Sequence, residues 1–161
     1  MADENKKELT ITRTFDAPRE LVWKAWTDPK IVQRWWGPNG VTNPTCEWDV
    51  RQGGKIHIVM LAGKELGEFE GHKWPMKGTF TQVKPLSRIS YRSDALDEKS
   101  ETFLTNEVTI DFEEVGDKTR MVLRVVVTKA VGQRAEFALQ GMSYGFNQQT
   151  DKLEALLREL K

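Results

Sequence analysis

The sequence predicts a single α+β domain in which an antiparallel sheet is covered by one long C-terminal helix. Alternating apolar and polar residues recur in short segments between residues 8 and 128, and a helical pattern follows over residues 133–160. Short strands joined by tight turns are typical of antiparallel pairing. A chain of 161 residues suits one domain, with a predicted core over residues 8–160 behind a flexible tail, residues 1–7.

The first element is a strand over residues 8–15, where Leu9, Ile11 and Phe15 share one face and Arg13 interrupts it. Asp16 is the predicted N-cap of a following helix with Pro18 near its first position. Apolar residues recur there at helical spacing until residues 28–29, Asp-Pro, end the helix. A second short helix is predicted over residues 29–36, before residues 37–38, Gly-Pro.

The middle of the chain is dominated by strands. Cys46, Trp48 and Val50 alternate with polar residues, and glycines 53 and 54 form a turn. Glycines at 63, 67 and 71 predict turns and short extended pieces. The further predicted strands are residues 55–60, 76–83, 88–92, 102–113 and 120–128.

The C-terminal segment is a predicted amphipathic helix of roughly 26 residues, on the order of 40 Å long. Its apolar stripe repeats every three or four residues: Met142, Phe146, Gln149, Leu153, Leu156 and Leu160. An antiparallel sheet needs a cover for its apolar face, and this helix is the largest cover available. The space between them is either a closed core or a ligand cavity.

Composition excludes several classes of protein. There are 24 Lys and Arg against 24 Asp and Glu, without the basic excess of a nucleic-acid binder. No run of about 18 apolar residues predicts a membrane span, and the first residues lack the apolar core of a secretory signal. A single cysteine excludes an internal disulfide. We therefore expect a cytoplasmic protein.

A series of motifs carries a resemblance to a known family. In chain order they are RTFDAPRELVWKAWTDP, RWWGP, CEWDVRQGGKIHIVM, PMKGTF and PLSRISY. Together they resemble the activator-of-heat-shock-protein-90-ATPase homologue group of the START-like (SRPBCC) superfamily, which includes the birch pollen allergen. The resemblance covers residues 8–160. It implies a helix-grip fold, in which seven antiparallel strands wrap around the C-terminal helix, and an apolar cavity for lipids, polyketides or flavonoids.

The candidate site is the sheet face that would look toward the long helix. Methionines adapt to irregular partners, and glycines 141 and 145 remove bulk from the helix. Those glycines also fit a closed core in which they only permit close packing. Arg34, beside two tryptophans, is a candidate for holding a ligand carboxylate. The candidate ligand-binding residues are Arg34, Trp36, Trp48, Ile58, Met60, Met76, Phe80, Tyr91, Val108, Met142 and Phe146.

Catalytic and metal sites have weaker support. His57 is predicted on the outer face, in a cross-strand pair with Glu47 or Asp49. The alternation of Glu68, Glu70 and His72 is unspecific as a metal site. No nucleophile elbow or phosphate-binding loop occurs. We therefore predict no catalytic residues, no metal and no cofactor.

Three functions remain. The first is binding of a small, mainly hydrophobic ligand by a protein that is a monomer or a weak dimer. The second, implied by the resemblance, is a co-chaperone stimulating a heat shock protein 90 ATPase. True activators carry a companion domain for which this chain has no room. The third is a cyclase-like enzyme that shapes an aromatic polyketide in its cavity.

Overall fold

The computed structural model describes residues 7–161 and confirms the predicted helix-grip α+β architecture. The predicted tail, residues 1–7, lies outside the described residues except for Lys7, which begins the first strand. The elements in chain order are β1 (Lys7–Phe15), α1 (Arg19–Thr27), α2 (Pro29–Trp35), β2 (Val41–Trp48), β3 (Lys55–Ala62), a 3₁₀ helix (Lys64–Phe69), β4 (Lys73–Lys84), β5 (Arg88–Leu96), β6 (Thr102–Val115), β7 (Lys118–Ala130) and α3 (Gly132–Leu160).

All seven strands form one antiparallel sheet in the order β1-β7-β6-β5-β4-β3-β2. Directly opposed residues share a face, so the register defines rows of side chains that cross the sheet. One such row on the inner face, toward α3, runs through Phe80, Tyr91, Val108 and Val125. These four residues are at most 2% exposed and form the centre of the core.

The long helix α3 covers the two halves of the sheet unequally. Its C-terminal half buries Gln149, Thr150, Leu153, Leu156 and Leu157, whereas Ala135 is the one buried residue in its first half among those described. Arg13, the residue that interrupts the apolar face of β1, donates 2.9 Å hydrogen bonds to Asp151 and Glu154. Arg13 therefore links β1 to the C-terminal half of α3.

The local details of the two short helices differ from the prediction. Asp16 is not an N-cap: α1 begins after Pro18, whose carbonyl oxygen accepts from the amides of Leu21 and Val22. Asp28 caps α2, because its Oδ1 accepts a 3.0 Å hydrogen bond from the amide of Lys30. Between glycines 63 and 71, Lys64–Phe69 forms a 3₁₀ helix where turns and extended pieces were predicted.

Within the described residues, none of the helices is long and apolar enough to cross a membrane.

Candidate functional site

An aromatic cluster fills the space between the inner face of the sheet and helices α1 and α2. The ring centroids of Trp26 and Trp35 lie 4.7 Å apart, and those of Trp36 and Trp48 lie 5.0 Å apart. Trp48 continues the cluster onto the sheet, at 4.9 Å from Phe80 and 5.4 Å from Tyr91. Edge-on and tilted pairs at these distances are favourable packing geometries.

Hydrogen bonds from the indole groups fix this cluster to the backbone. Trp48 Nε1 donates to the carbonyl of Trp26 at 2.7 Å, and Trp35 Nε1 donates to that of Ala25 at 3.1 Å. Six of the predicted wall residues belong to this closed region and are at most 5% exposed: Trp36, Trp48, Ile58, Phe80, Tyr91 and Val108. Their side chains contact one another, so this half of the inner face is packed core.

The other half of the inner face is only partly covered. Met60 and Met76 lie on the same face as Ile58, and both are half-buried. Met142 and Phe146 of α3 are also half-buried and pack against the core from the helix side. These four predicted residues therefore lie where the sheet and the first half of α3 leave apolar surface accessible.

A groove of about 380 Å³ lies between α3, the 3₁₀ helix and the loop between α2 and β2. Gly141 and Gly145 have open space next to their Cα atoms, with no atom within 4 Å of an added Cβ. The hypothesis that these glycines only permit close packing is therefore wrong. The groove is lined by Pro38, Asn39, Glu65, Leu66, Gly141, Tyr144, Gly145 and Gln148.

Exposed aromatic rings lie along the same end of the molecule. Phe137 and Tyr144 of α3 are 65% and 69% exposed. The ring of Phe137 lies 5.9 Å from that of Phe69 at the end of the 3₁₀ helix, which in turn lies 6.2 Å from Trp74. The 3₁₀ helix and α3 thus meet through apolar rings at the edge of the groove.

The loop between α2 and β2 is tied to α3 by polar side chains. Gln149 and Gln148 accept hydrogen bonds from the amides of Gly37 at 2.7 Å and Asn39 at 2.9 Å. Lys152 Nζ donates to the carbonyl oxygens of Trp36 and Pro38. Partial burial lowers the pKa of Lys152, and the negative charge of Glu65 opposes this shift. These bonds hold one wall of the groove in place.

A second, open depression of about 460 Å³ contains the single cysteine. Its lining residues are Thr27, Pro29, Cys46, Glu47, Trp48, Asp49 and Val50. Cys46 is half-buried, and burial raises the pKa of its thiol to about 11. Because the thiolate is the nucleophilic form, this cysteine is a poor nucleophile near neutral pH.

The remaining candidates lie away from the groove. Arg34 is exposed and pairs with Glu159 at 3.5 Å, near the C-terminal end of α3. That position is about 25 Å along the helix from Met142, so Arg34 is not brought together with that methionine. His57 lies opposite Glu47 in the sheet register, as predicted. Among residues 7–161, no cluster of three or more His, Cys, Asp or Glu side chains has metal-binding geometry.

Two residues of the inner face were missed by the sequence analysis. Asn106 and Ser93 lie directly opposite each other on β6 and β5. Along β6, Asn106 lies on the same face as the apolar residues Leu104, Val108 and Ile110. A polar residue in this apolar alternation was the signal that could have identified it. The groove residues of the loops had no such periodic signal.

Comparison with known proteins gives a consistent assignment. The model of the family described as activator of Hsp90 ATPase homolog 1-like protein matches residues 16–158. No curated protein matches the chain significantly.

Solved structures of bacterial proteins share the fold. The AHSA1 protein of Silicibacter pomeroyi is 23% identical with a TM-score of 0.79, over 96% of this chain and 100% of that one. A protein of Arthrobacter aurescens is 25% identical with a TM-score of 0.78, over 94% and 86%. A protein of Nitrosomonas europaea is 24% identical with a TM-score of 0.75, over 94% of both chains. With the family model matching nearly the whole domain, the chain belongs to the activator of Hsp90 ATPase homolog 1-like family of the SRPBCC superfamily.

Proposed function

We propose that the protein binds a small, mainly hydrophobic ligand between the inner face of its sheet and the first half of α3. The observation that carries the proposal is the groove beside Gly141 and Gly145, where helix backbone lies open next to accessible apolar surface. Binding sites for small molecules are concave and mostly apolar, with few polar groups. Membership of a superfamily that binds hydrophobic ligands is consistent with this use.

The half-buried residues of the inner face and of α3 have the chemistry that such a ligand needs. Met60, Met76 and Met142 are flexible and polarizable, so they adapt to ligands of different shape. Phe146 adds a ring from the helix side. Burying apolar surface against them stabilises a complex by about 25 cal/mol per Å² before the costs of association. We expect these four side chains to contact the ligand, while the closed tryptophan cluster supports them.

Gly141 is a position at which a larger side chain should block the groove. A side chain added at Gly141 would project into open space on the side facing Leu66 and Tyr144. Ser143 is exposed and lies about 200° around the helix from Gly141, at about 100° per residue. The same substitution at Ser143 therefore points away from the groove and serves as a matched control.

The test is a fluorescence titration with the apolar dye 1-N-phenylnaphthylamine, whose emission rises in an apolar environment. We expect the wild type to bind the dye, Gly141→Trp to bind at least about tenfold more weakly, and Ser143→Trp to bind like the wild type. Thermal unfolding of all three proteins checks that they fold. Equal binding by Gly141→Trp and the wild type would refute the proposed site.

Lipids, flavonoids and aromatic polyketides are then compared as competitors of the dye. A bound competitor at 100 times its Kd should also raise the unfolding free energy by about 2.7 kcal/mol. A competitor that displaces the dye from the wild type and raises its Tm identifies the ligand class.

A further inference from the structure

Small and polar residues interrupt the inner face at one row of the sheet. This row runs across five strands through Ile56, Gly78, Ser93, Asn106 and Val127. The neighbouring row toward the groove, Ile58, Met76, Ala95 and Leu104, is entirely apolar. The polar pair on β5 and β6 is therefore enclosed by apolar neighbours on the face that looks toward α3.

The side-chain oxygen of Asn106 is buried and accepts no hydrogen bond from any residue among 7–161. The Oδ1 of Asn43 is also unpartnered, but the Nδ2 of that residue donates to the carbonyl oxygens of Gln33 and Trp36. Asn43 thus has a structural role in joining α2 to β2. The amide of Asn106 makes no such bond within the described residues, and a buried unpaired polar group costs about 1–3 kcal/mol.

Two residues that carry hydroxyl groups lie near Asn106 on the same face. Ser93, opposite Asn106 in the register, is 7% exposed, and Tyr91 is two residues before it on β5. Burial raises the pKa of Tyr91, so its hydroxyl stays neutral. No residue of the row between Ile56 and Val127 is charged. The surroundings of Asn106 therefore suit a neutral hydrogen-bonding partner and disfavour an ion.

Asn106 also lies near the start of α3, the helix that borders the groove. The amide of Val131, just before α3, donates to the carbonyl of Phe103 at 2.9 Å, three residues before Asn106 on β6. The first half of α3 is the half that leaves the inner face partly accessible. Met76 pairs with Ala95, two residues after Ser93, so a ligand held against Met76 would lie beside the polar row.

We propose that Asn106, together with Ser93, forms a hydrogen-bonding subsite for a neutral hydroxyl group on an otherwise apolar ligand. The Oδ1 of Asn106 accepts from the ligand hydroxyl, and the Ser93 hydroxyl donates to the oxygen of that ligand hydroxyl. This inference rests on the proposed binding function and names its substrate class as apolar alcohols or phenols. It explains why an asparagine with an unpaired oxygen occupies an otherwise apolar face.

The test compares naphthalene with 2-naphthol, two probes that differ by one hydroxyl group, as competitors of 1-N-phenylnaphthylamine. We expect 2-naphthol to bind the wild type roughly tenfold more tightly than naphthalene. Asn106→Leu should remove this preference by weakening 2-naphthol alone, and Ser93→Ala should reduce it. Asn147→Leu is the control and should leave both affinities unchanged, because the Asn147 amide donates to the Ser143 carbonyl oxygen within α3.

Stability separates this role from a structural one. Because Asn106 Oδ1 has no partner among the described residues, Asn106→Leu should keep or raise the Tm while it removes the hydroxyl preference. A fall in Tm with an unchanged preference would overturn the inference. So would equal affinity of the wild type for the two probes, which leaves the binding function intact. Failure of the dye itself to bind the wild type would instead refute the binding function.

Discussion

The amide of Gly37 donates a 2.7 Å hydrogen bond to Oε1 of Gln149, a helix residue that is only 5% exposed. Gly37 has a φ of 87°, a left-handed conformation that glycine adopts without strain. An added Cβ there would lie 2.7 Å from Met60 Sδ and from Val41 Cγ2. The contact therefore fixes the loop after α2 against both α3 and a methionine beside the groove.

Replacing Gln149 with leucine should destabilise the protein by about 1–3 kcal/mol, because the Gly37 amide would be left buried without an acceptor. Equilibrium unfolding in urea measures the change. Gln148→Leu is the matched control: its bond to the Asn39 amide is exposed, so the loss should stay below about 0.5 kcal/mol. Equal losses in the two variants would contradict the importance of the buried bond.

Alanine at Gly141 or Gly145 should stabilise the protein by about 0.5–1 kcal/mol at each site. Both glycines lie inside α3, where glycine is unfavourable, and a Cβ at either position meets no atom within 4 Å. Thermal unfolding monitored by circular dichroism tests this expectation. Gly78→Ala is the contrasting variant and should destabilise, because its Cβ would lie 2.2 Å from the Arg92 carbonyl oxygen. Destabilisation by both helix substitutions would show that the groove is closed.

The order of elements and the inner face of the sheet could be predicted from the sequence because they depend on periodic apolar residues. The same pattern identified Met60, Met76, Met142 and Phe146 as candidates, but it could not separate them from buried core. That distinction depends on how far α3 lies from each half of the sheet. Helical spacing of apolar residues carries no information about this distance.

The details that escaped prediction are those set by contacts between distant parts of the chain. In the sequence, Arg13 only interrupts the apolar face of β1. Its hydrogen-bond partners, Asp151 and Glu154, are 138 and 141 residues away in sequence. Asp16 and Asp28 are both aspartates before short helices, yet Asp28 alone has the capping hydrogen bond. The groove is formed by a loop, a 3₁₀ helix and two helix glycines, none of which has a repeating pattern.

Phenylalanine at Trp48 should destabilise the protein by about 1–3 kcal/mol, since the carbonyl oxygen of Trp26 loses the 2.7 Å bond from Nε1 inside the core. Trp74→Phe is the control, because Trp74 is only half-buried and has no indole hydrogen bond among the described residues. Urea unfolding of the two variants gives the difference in free energy. A loss at Trp74 as large as that at Trp48 would indicate that ring size, and not the hydrogen bond, determines the effect.

Alkylation of Cys46 should be slow near neutral pH and should accelerate as the pH approaches 11. Burial raises the pKa of this thiol to about 11 from a usual value near 9, so at pH 8 the thiolate is roughly 100-fold scarcer than in an unfolded chain. The raised pKa contributes stability that is fully present below pH 9 and is lost as the pH rises through 11.

Because the cysteine is unique, mass spectrometry after iodoacetamide treatment reports this site alone, and the urea-unfolded protein is the reference. Cys46→Ala should lose less stability than the wild type between pH 9 and 11. Equal alkylation rates for the folded and unfolded protein at pH 8 would show that the thiol is accessible and that burial does not protect it.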